Sequence, residues 1–313
     1  MLAVVGAVCL VALALVARSA LSGDDNGSDG NGGGGGRGDR PVVACVSDLA
    51  EVCRALADRG AIAADPPTLD LDEAAAPDEK IDAWITWDPA PGIANIDGPE
   101  TWGEPQVLGG GALTILSNRG DLATLRSGCG AALTWACVAD TPKSGLAVGV
   151  GDGQSAESLA RFYPVAASLV PAGEDFTSLT STQLRAVVDS PANGQDRLKA
   201  QVKTLLTAPG SLNVVVGPRP GLEAALRTPR GQAMVTSAPT PTGDSMTAVI
   251  VSRVDTDGSR SDGSESKGLK ASAVLGVDEA SQALRAAGVE PGTGSLAPPD
   301  RAGELYAVRK KVG

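Results

Sequence analysis

Polar side chains gather in this 313-residue chain where apolar, strand-like runs give way to helical patterns. Ser47 and Asp48 follow Val42–Val46, and Thr86 and Trp87 close the run that starts at Ile81, with Asp88 behind them. Asn118 ends the long run Val107–Ser117. Asp152, Gln154 and Ser155 follow Leu146–Val150, and Arg219 stands between two prolines after Leu212–Val216. In open α/β sheets the carboxyl ends of strands hold ligands, often beside helix N-termini whose free N–H groups attract anions. Hydroxyl, amide and carboxylate groups placed there give directional hydrogen bonds, and an arginine clamps a carboxylate or phosphate. The same residue types also cap helices: Ser47 and Asp48 suit a helix from Leu49, and Ser155 one from Ala156. Trp87 reads as cleft lining or core, and Arg219 as a clamp or an ordinary solvated side chain.

This inventory suits binding better than bond-breaking. Histidine is absent, which removes Ser-His-Asp hydrolases, Cys-His peptidases, HExxH metalloenzymes and His-ligated metal sites. A glycosidase-like enzyme needs two carboxylates roughly 5–9.5 Å apart in a groove, usually walled by aromatics. Four Trp, two Tyr and two Phe are few for such walls. Gly149–Gly153 matches neither the dinucleotide nor the P-loop pattern. Asp70, Asp72 and Glu73 lack the ligand order of a calcium loop and read as a solvated turn. No catalytic residue, metal or cofactor is expected. A net charge of -11 leaves no electrostatic footprint for nucleic acid.

Elements that would position these residues follow from periodicity. Strands are expected at Val42–Val46, Thr68–Leu71, Ile81–Thr86, Val107–Ser117, Leu146–Val150, Leu212–Val216 and Thr247–Val254. Helices are expected at Leu49–Arg59, Ala156–Val170, Thr180–Val188, Gln195–Leu206, Leu222–Arg227 and Glu279–Ala287, with a polar loop at Asp255–Lys270. Alternating strands and helices argue for α/β layers with largely parallel sheets.

The N-terminus points outside the cytoplasm. Leu2–Ala17 is an apolar run without charge that ends at Arg18, so residues 1–21 read as a transmembrane anchor or signal segment. The residues before Cys9 fit a lipidation site poorly. Residues 22–40, with glycines from Gly32 to Gly36, bury too little apolar surface to order and form a flexible tether. Arg37-Gly38-Asp39 within it reads as a chance match to an adhesion tripeptide. The other cysteines fall into two pairs eight positions apart, Cys45/Cys53 and Cys129/Cys137, as expected of local disulfides in an oxidising compartment. The rival reading, a zinc site, wants tighter spacing and histidine support. Trp135 is expected to pack on the second disulfide loop.

The order of elements resembles the type II periplasmic (extracellular solute-) binding proteins over residues 41–313. The resemblance rests on Val42–Asp48 with its following helix, Asp82–Thr86, the crossing strand Ala112–Asn118, Gly145–Val150 and Val214–Gly217. It implies a two-lobed α/β fold with crossover strands, the first lobe spanning 41–112 plus 240–313 and the second 113–239. It further implies a ligand held in the cleft between the lobes; a small polar or anionic ligand is expected there, with Ser47, Asp48, Thr86, Trp87, Asn118, Asp152, Gln154, Ser155 and Arg219, taken from the strand ends, as its expected contacts. A membrane transporter is the implied partner. The alternative is a tethered envelope interaction or assembly module whose cleft has degenerated.

Overall fold

The computed structural model describes residues 40–97, 101–130, 132–140, 145–151, 153, 155–170, 197–208, 210–239, 245–254, 269–298 and 303–308. The expected anchor, nearly all of the tether, the helix at Thr180–Val188, most of the polar loop Asp255–Lys270, and both Asp152 and Gln154 lie outside the described residues.

The chain opens with β1 (Val43–Cys45), whose residues are all buried, and passes through a 3-10 turn (Ser47–Leu49) into α1 (Ala50–Asp58). Helix α1 buries Val52, Cys53 and Leu56 against the core, the spacing of a single apolar stripe. Cys53 closes a disulfide back to Cys45, as the spacing predicts. Strand β2 (Ala83–Trp87) is buried throughout and pairs parallel with β1. Its Trp84 lies 5.4 Å from Trp102 between ring centroids. The two indoles donate to the carbonyls of Leu69 (3.1 Å) and Ala74 (2.8 Å), so both rings bury without stranding a donor. Thr68 makes only an isolated bridge to Cys45, so the strand expected at Thr68–Leu71 is reduced to one residue.

After α2 (Ala90–Asp97) comes β3 (Gln106–Asn118), which joins two sheets. Its residues Gln106–Ala112 pair with β7 (Ser245–Ser252), which also pairs with β2. Its residues Leu113–Asn118 pair with β5 (Val214–Pro218) and β6 (Met234–Ser237). Short strands finish each side: β4 (Val148–Gly149) runs parallel to β5, and β8 (Glu290–Pro291) pairs with β3. The fold is therefore two-lobed α/β, with β3 crossing from one sheet to the other. The expectation of largely parallel sheets is corrected. Among the described strands only β1/β2 and β4/β5 pair in parallel, beside the single parallel bridge Cys45–Thr68, and every pair made by β3 or β7 is antiparallel. Strand-helix alternation fixes the neighbours within a β-α-β unit, but not the direction in which a long crossing strand inserts between such units.

Gly109, Gly110 and Gly111 in β3 have a packing cause. The chain from Gly288 to Gly294 lies directly on them: a Cβ on Gly109 would stand 2.7 Å from the Glu290 carbonyl oxygen, and one on Gly110 2.6 Å from the Gly294 Cα. One on Gly111 would overlap the carbonyl oxygen of Gly288.

Between β3 and β7 the chain carries α3 (Arg119–Cys129), α4 (Trp135–Asp140), α5 (Ala156–Leu169), α6 (Leu198–Thr207) and α7 (Arg219–Leu226). Cys129 and Cys137 form the second expected disulfide, and Trp135 between them is buried. Helices α8 (Ala271–Leu275) and α9 (Asp278–Ala286) follow β7; α9 packs on α1, and Glu279 takes a forked ion pair from Arg59.

Candidate functional site

A cleft of about 660 Å3 opens between the lobes, well inside the size range of small-molecule sites. Strand direction explains where it lies. Because β1 and β2 are parallel, both carboxyl ends reach one edge of the first sheet. Asp48, in the turn after β1, and Trp87, the last residue of β2, line the cleft from there, joined by Ala286 and Ala287 at the end of α9. In the second lobe β4 and β5 are parallel, and the helices that follow them supply the facing wall. Glu157 comes from the first turn of α5, Leu198, Lys199, Val202, Lys203 and Leu206 from α6, and Ala224 and Ala225 from α7. Thr228–Arg230, just beyond α7, close the rim.

Glu157 is only 7% exposed and has a structural task beside its place in the cleft. Its Oε2 accepts the backbone N–H of Leu198 at 3.3 Å, while the N-cap residue of α6, Arg197, makes no side-chain cap bond. A carboxylate from α5 thus serves the open N-terminus of α6, where negative charge also meets the helix dipole favourably. One turn on, Arg161 is fully buried. Its Nη1 donates to Gln201 Oε1 at 2.7 Å and to the Val216 carbonyl at 3.2 Å, fixing α5, α6 and β5 together behind the cleft. Gly149 leaves the room this needs, since a Cβ there would stand 2.9 Å from the Gln201 amide carbon.

On the first lobe, Trp87 is 1% exposed and its Nε1 has no hydrogen-bond partner among the described residues. An unmet buried donor costs about 1–3 kcal/mol, and this one belongs to a ring that lines the cleft. Thr86 Oγ1 is likewise buried without a partner there, but successive strand residues face opposite sides of the sheet, and Thr86 does not line the cleft. Asp88 turns away as well. It accepts the backbone N–H of Ala297 at 2.5 Å, and burial lifts its carboxyl to about 6 against the opposing effect of that bond.

Of the sequence-predicted residues, Asp48 and Trp87 come together in the cleft. Ser47 begins the 3-10 turn, half-buried and outside the lining. The capping role open to Ser47 and Asp48 is not taken, because Val46 and Leu49 hold the N-cap positions without side-chain bonds. Ser155 does cap. Its Oγ accepts from Ser158 N at 3.1 Å while Ser158 Oγ accepts from Ser155 N at 3.2 Å, so it orients the turn that carries Glu157. Asn118 caps α3 through Asp121. It lies at the opposite edge from the cleft because β3 runs antiparallel to β5, placing Ser117 beside Val214 and Leu113 beside Pro218. Arg219 starts α7 and pairs with Glu223 at 2.7 Å on an exposed face. The sequence reading missed Glu157 and the cleft face of α6. A carboxylate in the first turn of a capped helix was the available signal for Glu157. The face of α6 gave none, because Leu198, Val202 and Leu206 have ordinary core spacing.

Solved structures with this architecture share little sequence with the chain. A periplasmic thiamin-binding protein superposes with a TM-score of 0.52 at 9% identity, over 87% of this chain and 95% of that one. PhnD1 from Prochlorococcus marinus, in complex with methylphosphonate, gives 0.51 at 10%, over 86% and 97%. The Atu4243-GABA receptor gives 0.50 at 14%, over 87% and 90%. No protein-family profile matches the sequence, and no curated protein matches it at a significant level. The likeness is one of fold, that of the type II periplasmic solute-binding proteins.

Proposed function

We propose that this chain is a membrane-tethered, extracytoplasmic solute-binding protein that takes a small ligand between its lobes, as the binding component of a transport system. The first lobe is assigned to residues 41–112 plus 240–313 and the second to 113–239, which agrees with the change of β3 from one set of partners to the other between Ala112 and Leu113. The single observation that carries the reading is the cleft, in which residues from both lobes converge on one cavity of ligand size. The two disulfides support an oxidising compartment. The apolar run Leu2–Ala17 and the glycine-rich stretch after it support the tether.

Native mass spectrometry of the full chain, mixed with a pool of amino acids, amines, oxyanions and small sugars, tests this reading. The expected result is one bound molecule per chain from a single chemical class. No bound molecule from any class would favour the alternative, a tethered assembly module with a degenerate cleft.

A further inference from the structure

Helix α6 faces the cleft with two rows of side chains, because residues four apart stand one above another on a helix. Leu198, Val202 and Leu206 form one row, and Lys199, Lys203 and Thr207 form the other beside it. At the rise of an α-helix the apolar row extends over about 12 Å. Trp87, Ala225 and Ala287 line the same cavity with further apolar surface. A third base, Arg230, opens the 3-10 turn Arg230–Ala233, which packs against α6. All three bases are exposed, and none is ion-paired with a described residue. Lysine stems lie along apolar surface while their ammonium groups stay in water, so the positive charge stands outside an apolar wall. The two acids of the lining are engaged already. Glu157 holds the Leu198 N–H, and both it and Asp48 have interactions of their own. The three bases belong to one wall and Asp48 to the facing one.

From this arrangement we infer that the ligand is an organic anion with an apolar chain, its chain along the α6 row and its acidic group at Lys199, Lys203 and Arg230. The inference rests on the cleft being a ligand site and adds the ligand class: of the oxyanions, those that carry a chain. A short or inorganic anion meets the bases but leaves the row wet. A neutral chain of the same length covers the row and gains nothing from the three cations. An amine with that chain brings a like charge to them. Exposed ion pairs are individually weak, whereas each buried methylene adds to affinity. The chain therefore supplies most of the binding, and the bases choose the sign of the headgroup.

Calorimetric titration of the full chain with octanoate, hexanoate, 1-octanol and octylamine tests it. Octanoate is expected to bind tightest, about fivefold or more ahead of 1-octanol and further ahead of octylamine. Each of the two methylenes missing from hexanoate weakens binding by up to about fourfold. Lys199→Gln combined with Lys203→Gln, both at exposed positions, is expected to weaken octanoate about threefold or more and to leave 1-octanol unchanged. Binding of 1-octanol, octylamine or hexanoate as tight as that of octanoate overturns the inference. A double variant that binds octanoate like wild type overturns it too. So does failure of all four compounds while another class from the mixed pool binds, an outcome that leaves the solute-binding reading standing. Failure of every class removes both. The wild-type series decides the matter even should the double variant fold poorly.

Discussion

The carboxylate of Asp88 accepts the backbone N–H of Ala297 at 2.5 Å, joining the end of β2 to the segment that follows β8. The same segment is held by Thr247, whose Oγ1 donates to the Ser295 carbonyl at 2.8 Å. It is also held by Thr293, whose Oγ1 donates to the Glu290 carbonyl at 2.7 Å and accepts the Gly110 N–H at 3.3 Å. This strap covers the part of β3 where three glycines leave it room.

Burial lifts the Asp88 carboxyl to about 6, so the folded chain binds this proton more tightly than the unfolded chain does. Its favourable effect on stability is complete below the ordinary carboxylate pKa and is lost as pH rises through about 6. Asp88→Asn removes the buried charge and keeps an acceptor for Ala297. The variant is expected to be more stable than wild type by about 1–2 kcal/mol at pH 7.5, with little gain at pH 4. Denaturant unfolding at the two pH values checks this, and an equal difference at both would contradict it.

Two buried tryptophans of β2 are expected to respond differently to the same change. Trp84→Phe removes the donor to the Leu69 carbonyl, whereas Trp87→Phe removes an N–H with no partner among the described residues. The first substitution should cost about 1–3 kcal/mol more than the second, because it leaves a buried carbonyl unmet. Urea unfolding of both variants measures the difference, and equal costs would show that the Trp87 donor is satisfied.

Two glycine-to-alanine changes should have opposite signs. A Cβ at Gly111 would overlap the Gly288 carbonyl oxygen, while one at Gly128, near the end of α3, meets nothing within 4 Å. Gly111→Ala is expected to destabilise by more than about 2 kcal/mol. Gly128→Ala is expected to stabilise by about 0.5–1 kcal/mol, through helix propensity and reduced freedom of the unfolded chain. Thermal unfolding distinguishes them. A tolerated Gly111→Ala would mean that the strap yields easily.

Elements dominated by local pattern were legible in the sequence, and those set by distant partners were not. Strand β1, helix α1 and the disulfide between them follow from an apolar run, a 3.6-residue stripe and an eight-residue cysteine spacing. Helix α2 was unreadable because it opens on Ala-Pro-Gly. Asn95 within it is fixed by Thr101 and Trp102, whose N–H groups it accepts at 3.1 and 2.9 Å. Strand β6 has half-buried residues throughout and so no alternation to detect, and β3 supplies the partner that makes it a strand. Of the cleft lining, Asp48 and Trp87 were legible because strand ends define an edge. Arg219 and Asn118 were equally plausible by that rule, but the first is paired with its own helix and the second lies at the edge opposite the cleft. Edge assignment needs strand direction, which the sequence pattern does not encode.

Whether a ligand binds in the cavity between the lobes is tested most directly by Ala224→Trp. Ala224 lines the cleft and is exposed, so an indole there fills the cavity with little disturbance to the core. Thermal unfolding of wild type and variant is compared across the same panel of amino acids, amines, oxyanions and sugars. One class is expected to raise the wild-type midpoint, with about 2.7 kcal/mol of added stability at a hundredfold excess over its dissociation constant, and to leave the variant unmoved. A panel that shifts neither protein, or shifts both alike, would contradict that expectation.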